Sequence, residues 1–342
     1  GILVLAHDGM AYRFVVDYYG GTGNDLVLRW ANTRMLGWGR NTNGVLGEGV
    51  TNETQVPVSI ASTGALAGKT IMSLVPGTSH CLAVCADGTL AAWGTNYDGS
   101  LGIDGMSSGA NSIVRTPVAL DRRGALAGRR VALAAVGNRH NLVLCTDGTL
   151  VTWGSNSYGQ LGDNTSTSRT QAAEVDQTGV LAGRRVTAIA AGYRHNLVLC
   201  ADGTLAAWGD NSDGALGNGT TYRSTEPILV DRSGVLNGKT VVAIAAGGFH
   251  SMALCADGTL ATWGSNQYGQ LGDDSTTSRL VPVRVDQNGV LAGKRVSAVV
   301  AGHSHCLVRC ADGTIAGWGR NFAGAVGDGT QTDPTMLPVA TD

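Results

Sequence analysis

Short apolar runs separated by glycine-rich turns recur along the whole chain, and residues 184–238 give a representative stretch. Three runs within it, Val186 to Ala190, His195 to Cys200 and Thr204 to Trp208, are each bounded by Gly or by Asp-Gly. Runs of this length and composition predict β-strands. A fourth strand, Glu226 to Val230, follows an Asn-rich loop, and its proline is acceptable in an outer strand that lacks one amide donor.

The same four-strand unit is repeated along the chain. The Asp202-Gly203 step between the second and third runs predicts a two-residue type I′ hairpin, and Asp-Gly recurs at the equivalent place in other copies. A Trp-Gly pair ends the third run at spacings of 55, 60, 55, 55 and 55 residues, and its tryptophans are Trp38, Trp93, Trp153, Trp208, Trp263 and Trp318. A long repeat made only of strands predicts an all-β fold, a β-propeller of about six four-stranded blades.

The composite pattern AAGxxHxLxLxxDGxLxxWGxNxxGQLG, carried by Ala190 to Gly217 and its copies, resembles the RCC1-like repeat. The spacer GVLAGKRV at 289–296 is similar to bacterial members, and the resemblance covers residues 31–342. It implies a propeller that usually has seven blades. It implies little about activity, since such propellers include nucleotide-exchange factors, a photoreceptor, β-lactamase inhibitors and many binding modules.

The chain divides into a segment 1–30 and a repeat propeller 31–342, because the copy around Trp38 lacks its first two strands. Residues 1–30 predict a hairpin and a further strand, and they resemble the closing strands of passenger repeats in bacterial surface proteins. The segment either completes the ring, which would have seven blades if strands came from elsewhere, or ends an upstream β module. The string at 20–28 also fits one calcium-binding nonapeptide, but a single copy favours a plain turn.

Composition and charge exclude several function classes. The net charge is −2 and only 15% of residues are charged, so we expect no nucleic-acid partner. No apolar run is long enough for a membrane-spanning helix, so we expect no membrane insertion. The seven cysteines follow the repeat and fit small buried residues. No catalytic motif appears in a fitting context, and the recurrent histidines lack acidic neighbours, so we expect no enzyme, cofactor or metal site.

Candidate partner-binding residues lie just before each recurrent histidine, on the loop between the first two strands. Loops displayed on a rigid scaffold often bind partners, and Tyr, Arg and Phe are favourable anchors. Drift at unconstrained loop positions explains the variation equally well. The candidates are Asn138, Arg139, Tyr193, Arg194, Phe249 and His303. We expect His303 to expose its imidazole.

These observations predict a non-enzymatic protein-interaction scaffold of a secreted or cell-surface bacterial protein, binding through loops on one propeller face. A second interpretation is a structural subunit whose copies assemble by strand exchange at the open propeller seam, since unpaired strand edges invite pairing. A third, by family analogy, is a guanine-nucleotide exchange factor or an enzyme-inhibiting propeller. The expected partners are therefore proteins, with copies of the chain itself as the alternative.

Overall fold

The computed structural model of the protein describes residues 2–7, 10–18, 26–30, 35–109 and 112–341, with side chains from residue 35 onward. Its 25 strands form six antiparallel sheets in sequence order. The first sheet contains β1 (Ile2–His7), β2 (Met10–Tyr18), β3 (Leu26–Trp30), β4 (Met35–Gly39) and β5 (Thr54–Ser59). The second contains β6 (Ile71–Pro76), β7 (His80–Cys85), β8 (Leu90–Thr95) and β9 (Ile113–Ala119).

The other four sheets repeat this plan. The third sheet contains β10 (Val131–Val136), β11 (His140–Cys145), β12 (Leu150–Gly154) and β13 (Arg169–Glu174). The fourth contains β14 (Val186–Ala191), β15 (His195–Cys200), β16 (Leu205–Gly209) and β17 (Ser224–Leu229). The fifth contains β18 (Val241–Ala246), β19 (His250–Cys255), β20 (Leu260–Gly264) and β21 (Arg279–Arg284). The sixth contains β22 (Val296–Ala301), β23 (His305–Cys310), β24 (Ile315–Gly319) and β25 (Thr335–Ala340). Short 3₁₀ helices lie at Gly64–Leu66, Tyr97–Gly99, Gly124–Leu126, Gly289–Leu291 and Phe322–Gly324.

The hairpin between β15 and β16 lies where the sequence predicts it, but the predicted two-residue type I′ turn is wrong. The Cys200 amide donates to the Thr204 carbonyl around a three-residue loop, and Asp202 lacks the positive φ that a type I′ turn needs. Gly203 adopts a φ of +84° in the hairpin between β15 and β16, a conformation that favours glycine. The preceding Asp202 accepts a hydrogen bond from the Thr204 amide at 2.9 Å, which closes the turn. This hairpin fixes the register in which His195 pairs with Gly209. The recurrent His and the Trp-Gly pair therefore lie together at the end of the sheet opposite the turn.

The first sheet differs from the other five because it has five strands. Its order is β1-β2-β3-β4-β5, and Leu28 of β3 pairs with Leu36 of β4. The predicted boundary at 30/31 thus falls between two paired strands, while the division into two domains stays a prediction. The predicted turn at 20–25 lies outside the described residues, and the last three residues of the nonapeptide string at 20–28 belong to β3.

The sheets are arranged as propeller blades around a common axis. The inner strands β6, β10, β14, β18 and β22 contact one another in succession. We call the side of a sheet that faces the next sheet in sequence its leading face, and the opposite side its trailing face. Leucines of one leading face pack against the Trp and small residues of the next trailing face, and five tryptophans are completely buried there: Trp93, Trp153, Trp208, Trp263 and Trp318. The prediction of an all-β propeller with six blades is confirmed.

All seven cysteines are buried in this core, as predicted. Burial raises the pKa of the Cys145 thiol to about 11, and it raises the pKa of the completely buried Cys306 thiol well above its ordinary value. A thiol that stays protonated is a poor nucleophile. These cysteines therefore pack as small apolar residues.

Candidate functional site

The loops between the first and second strands converge on the propeller axis. Together they line a shallow depression at the end of the sheets that carries the recurrent histidines, and we call this end the loop face. The lining loops are Gly77-Thr78, Gly137-Asn138, Gly192-Tyr193, Gly247-Gly248 and Gly302-His303. One repeat position from five neighbouring sheets thus forms a single concave surface.

Backbone hydrogen bonds hold these loops to one another. The Asn138 amide donates to the Tyr193 carbonyl at 3.3 Å, and the Tyr193 amide donates to the Gly248 carbonyl at 3.1 Å. The Gly248 amide donates in turn to the His303 carbonyl at 3.0 Å. A Cβ on Gly192 would lie 2.3 Å from the His195 ring and 2.4 Å from the next loop's carbonyl, so only glycine fits at this crossing. The loop face is therefore a fixed scaffold.

Three side chains form an aromatic cluster beside the axis. The Tyr193 ring centroid lies 5.3 Å from that of Phe249 and 5.3 Å from that of His303. Phe249 and His303 meet edge to face at 5.8 Å. All three side chains are half-buried, so they support one another and still present a surface to solvent. Rigid, partly exposed aromatic groups are typical anchors for a protein partner.

Arginines stack on tyrosines across neighbouring sheets on the same face. The Arg194 guanidinium lies 4.2 Å from the Tyr158 ring centroid and 5.4 Å from that of Tyr193. Arg139 covers Tyr97 at 4.0 Å in the same way. A stacked guanidinium keeps its in-plane N–H donors available for a carboxylate or a carbonyl. Arg194 has an acidic neighbour, Asp210, at 4.0 Å, so it is partly neutralised already.

A third stack was missed by reasoning from the sequence. Arg320 lies 4.6 Å from the Tyr268 ring centroid and 5.3 Å from that of Phe322, whose side chain is 70% exposed. The signal that could have found these stacks is the Tyr-Gly pair in the loop after Trp-Gly, seen as Tyr158-Gly159 and Tyr268-Gly269. The arginine partner comes from a different repeat position in each case, which hides the pairing in the sequence.

The structure brings most of the predicted residues together. Tyr193, Phe249 and His303 form the aromatic cluster, and Arg194 adjoins it through the Tyr193 ring. Asn138 lines the depression but is only 8% exposed, and Arg139 is exposed beyond it. Their role in binding stays a prediction.

The expectation of an exposed imidazole at His303 is wrong. Its ring is half-buried against Tyr193 and Phe249, and its Nδ1 lies 3.0 Å from the Ser304 hydroxyl. Burial and the neighbouring Arg320 lower the pKa of His303. The aromatic neighbours from two other loops therefore decide its environment.

The recurrent histidines join neighbouring sheets. His140 Nε2 lies 3.0 Å from Asn196 Oδ1 of the next sheet, and the Asn196 amide donates to the Gln160 carbonyl at 2.7 Å. The Trp208 indole donates to that same carbonyl at 3.1 Å. Burial lowers the pKa of His140 to about 4, so its ring is neutral at physiological pH. The same hydrogen bond is repeated at four junctions, those of His80, His140, His195 and His250.

The basic residues that begin each first strand lie at the opposite end of the sheets, beside the hairpin turns. Arg184 pairs with Asp202 at 2.9 Å, and Lys294 pairs with Asp312 at 2.6 Å. The same contact joins Arg129 to Asp147. These acids neutralise the paired basic residues, so the ion-paired positions offer no concentrated positive charge.

The described residues hold neither a metal-binding cluster nor a membrane-spanning helix. Within residues 35–109 and 112–341, no three His, Cys, Asp or Glu side chains lie close enough together to hold a metal ion. In the same part of the chain, no helix has the length and apolar character needed to cross a bilayer. The concave, aromatic and arginine-rich loop face is the feature best suited to recognition.

The sequence of this chain is similar to the sequences of several known proteins. The ultraviolet-B receptor UVR8 of Arabidopsis thaliana is 30% identical over 317 residues, which are 92% of this chain and 67% of the receptor. The human E3 ubiquitin-protein ligase HERC2 is 32% identical over 302 residues, 88% of this chain but 6% of the ligase. The chain thus spans about two thirds of the receptor and a small part of the ligase.

Solved structures share the fold. Prp20p of Saccharomyces cerevisiae matches with a TM-score of 0.78 at 22% identity, over 98% of this chain and 77% of that one. The same yeast protein is known in a complex with Kap60. Human WBSCR16 matches with a TM-score of 0.73 at 25% identity, over 90% of this chain and 78% of its own. A family model of the RCC1-like domain matches residues 7–342, and the chain therefore belongs to the RCC1-like domain family.

Proposed function

We propose that the protein is a non-enzymatic interaction scaffold that binds a protein partner through its loop face. The observation that carries the proposal is the aromatic cluster of Tyr193, Phe249 and His303 at the axis, with Arg194 stacked beside it. Backbone hydrogen bonds between the loops hold these groups in place before a partner binds, so little conformational entropy is lost on binding. The proposal places the scaffold on a secreted or cell-surface bacterial protein, which rests on the resemblance of residues 1–30 to passenger repeats.

The relatives support binding as the general role and leave the partner open. Prp20p is a protein-binding member with the same fold, but its 22% identity carries only the fold to this chain. Nucleotide exchange and enzyme inhibition therefore have no support from particular residues here. The loop face itself carries the proposal.

The test compares two aromatic substitutions in the chain of residues 1–342. Tyr193→Ser removes an axial anchor, whereas Tyr222→Ser removes a tyrosine that is 80% exposed on an outer loop. Proteins captured by the unchanged chain are identified, and their affinity for both variants is measured. We expect Tyr193→Ser to weaken binding by about 2 kcal/mol, roughly thirtyfold, and Tyr222→Ser to leave it unchanged.

Circular dichroism and thermal unfolding of both variants establish that the propeller is intact. A set of partners that binds Tyr193→Ser and Phe249→Ser as tightly as the unchanged chain would rule out the loop face as the binding surface.

A further inference from the structure

The end of the propeller opposite the loop face carries exposed arginines, and we call it the turn face because the hairpins between second and third strands lie there. Two residues precede each first strand of the second to sixth sheets at this end. The first is basic and pairs with the aspartate of its own hairpin, as Arg184 pairs with Asp202. The second is an exposed arginine in three sheets: Arg130, Arg185 and Arg295. Within the described part of the chain, none of these three arginines forms an ion pair.

The guanidiniums of these arginines keep most of their donors available. Arg130 donates from one nitrogen to the Ala86 carbonyl of the neighbouring sheet at 2.7 Å. The side chains of Arg185 and Arg295 make no hydrogen bond to other described residues. A guanidinium has five N–H donors in a planar fork that matches a carboxylate. These three side chains therefore present cationic donors that a partner can use.

Exposed apolar side chains lie beside these arginines, at a β-bulge of the inner strands. The register between the first and second strands shifts in all five sheets, as between Val241 and Ala243 of β18. A bulge re-aims the side chain of its extra residue. The extra residues Val242 and Met72 are 53% and 59% exposed. Because the inner strands contact one another in succession, the bulges lie around the axis at one end of the propeller.

Arginines and large apolar side chains alternate between sheets. Met72 and Val242 occur in the two sheets that have a threonine, Thr70 or Thr240, at the arginine position. The three sheets with an arginine have a small residue at the bulge: Ala132, Thr187 and Ser297. Around the axis, the order of the sheets is therefore apolar, cationic, cationic, apolar and cationic. We call these five side chains the axial patch: Met72, Arg130, Arg185, Val242 and Arg295.

We propose that the axial patch binds an acidic segment of a partner protein, whose carboxylates pair with the arginines and whose apolar side chains cover Met72 and Val242. Both halves of the interaction follow from the patch, because an exposed guanidinium favours a carboxylate and exposed apolar area favours apolar cover. The patch lies at the opposite end of the sheets from the loop face. The proposal therefore does not depend on the proposed function.

The hairpin aspartates favour a narrow occupant over a broad anionic surface. Their side chains are 45 to 51% exposed, and they lie farther from the axis because the second and third strands lie outside the first. An anionic bilayer or a nucleic-acid duplex would extend over these aspartates and meet charges of its own sign. A single peptide segment near the axis meets the unpaired arginines and avoids the aspartates.

The experiment measures the binding of fluorescein-labelled peptides to the chain of residues 1–342 by fluorescence anisotropy at low salt. The probe is a peptide of alternating Glu and Leu, and the comparison peptides alternate Lys with Leu and Glu with Ser. We expect the Glu-Leu peptide to bind at least about tenfold more tightly than either comparison peptide, and we expect added salt to weaken its binding.

Variants of the chain locate the peptide. We expect the double change Arg185→Gln and Arg295→Gln to weaken binding of the Glu-Leu peptide by about tenfold, since two carboxylates lose their partners. The matched control is Arg139→Gln, which removes an exposed arginine from the loop face and should leave the affinity unchanged. Thr240→Arg adds a cation to the axial patch and should tighten binding.

A second pair of variants tests the apolar half of the patch. Val242→Ser should weaken binding of the Glu-Leu peptide about threefold. Its matched control is Val56→Ser, since Val56 is 64% exposed on the outer strand β5, and this change should have no effect. All of these side chains are at the surface, and thermal unfolding establishes that each variant is folded.

Three outcomes would overturn the proposal. Equal affinity for the Glu-Leu and Lys-Leu peptides would show that the arginines do not select the ligand. Unchanged affinity in the double arginine variant would place the peptide elsewhere on the chain. Binding of phosphatidylglycerol vesicles or duplex DNA that depends on Arg185 and Arg295, without binding of the peptide, would identify a lipid surface or a nucleic acid as the occupant instead.

Discussion

The junction between the fourth and fifth sheets and the open side of the sixth sheet present nearly the same residues to different surroundings. Leu197 and Leu205 of the fourth sheet are completely buried against the fifth sheet's Trp263 and its neighbours. Their counterparts in the sixth sheet, Leu307 and Ile315, are half-buried and 42% exposed. A sheet of this repeat therefore does not bury its own leading face, and the next sheet must supply that cover.

Stability in such an array is a sum of terms from single sheets and terms from neighbouring pairs. On the open leading face of the sixth sheet, a substitution changes only the contribution of that sheet, because no neighbouring sheet packs there. The same substitution at a closed junction changes both. Matched pairs of variants thus measure what one neighbour contributes.

The largest difference is expected for a charge placed on the leading face. Leu205→Asp buries a carboxylate without a partner, and we expect it to lower the free energy of unfolding by about 4 kcal/mol or more. Ile315→Asp places the same group where solvent reaches it, so we expect a loss of about 1 kcal/mol or less. Urea unfolding at neutral pH measures both values. Equal losses would show that Ile315 is covered in solution.

The next largest difference in the free energy of unfolding is expected when a tryptophan is removed from a covered trailing face and from the trailing face of the first sheet. Trp208 is completely buried, and its Nε1 donates to the Gln160 carbonyl at 3.1 Å, so we expect Trp208→Ala to cost about 3–5 kcal/mol. Trp38 is half-buried on the trailing face of the first sheet, and we expect Trp38→Ala to cost less than half as much. Thermal and urea unfolding give the two values. A cost at Trp38 as large as that at Trp208 would mean that the ring is closed in solution.

The sequence predicts the sheets well because their signals are local. The position of the Asp202-Gly203 turn and the strand His195–Cys200 follow from one unit read alone. The open side of the sixth sheet could not be predicted so well, because exposure of Ile315 depends on a neighbour. Incomplete end units indicated a seam, and only packing shows which face lacks its cover.

The loop face was predictable in part for the same reason. The variable residues before each histidine were visible along the chain, but the meeting of Tyr193, Phe249 and His303 depends on how three sheets turn about the axis. The stack of Arg320 on Tyr268 joins different repeat positions of two sheets, so alignment of the units does not reveal it.

We expect acid to lower the free energy of unfolding to the same extent through His195 at a closed junction and through His305 at the open side of the sixth sheet. Burial lowers the pKa of both His195 and His305 to about 4, below the ordinary value of 6.5. The unfolded chain therefore binds protons that the folded chain does not, so this stability is full above pH 6.5 and is lost as pH falls towards 4. Each shift corresponds to about 3 kcal/mol. We expect His195→Leu and His305→Leu to flatten the pH dependence of unfolding equally between pH 6.5 and 4.

At pH 8 the two histidine variants should differ. His195→Leu loses the contact with the Ser251 hydroxyl at 3.0 Å, which is worth about 1 kcal/mol, whereas His305 has no equivalent contact among the described residues. Urea unfolding at pH 8 and at pH 5 separates the two effects. An equal loss at pH 8 would show that the His305 imidazole has a partner in solution.

The smallest effect tests whether the sixth sheet is weakened as a whole. Its Lys294–Asp312 pair at the hairpin end, like Arg184–Asp202 of the fourth sheet, lies within one sheet and is partly exposed. Exposed ion pairs contribute about 0–1 kcal/mol and are screened by salt. We therefore expect Lys294→Gln and Arg184→Gln to cost the same small amount, with both losses reduced in 1 M salt. A larger cost for Lys294→Gln in urea unfolding would mean that the missing neighbour loosens the entire sixth sheet, whereas equal costs would confine its effect to the open leading face.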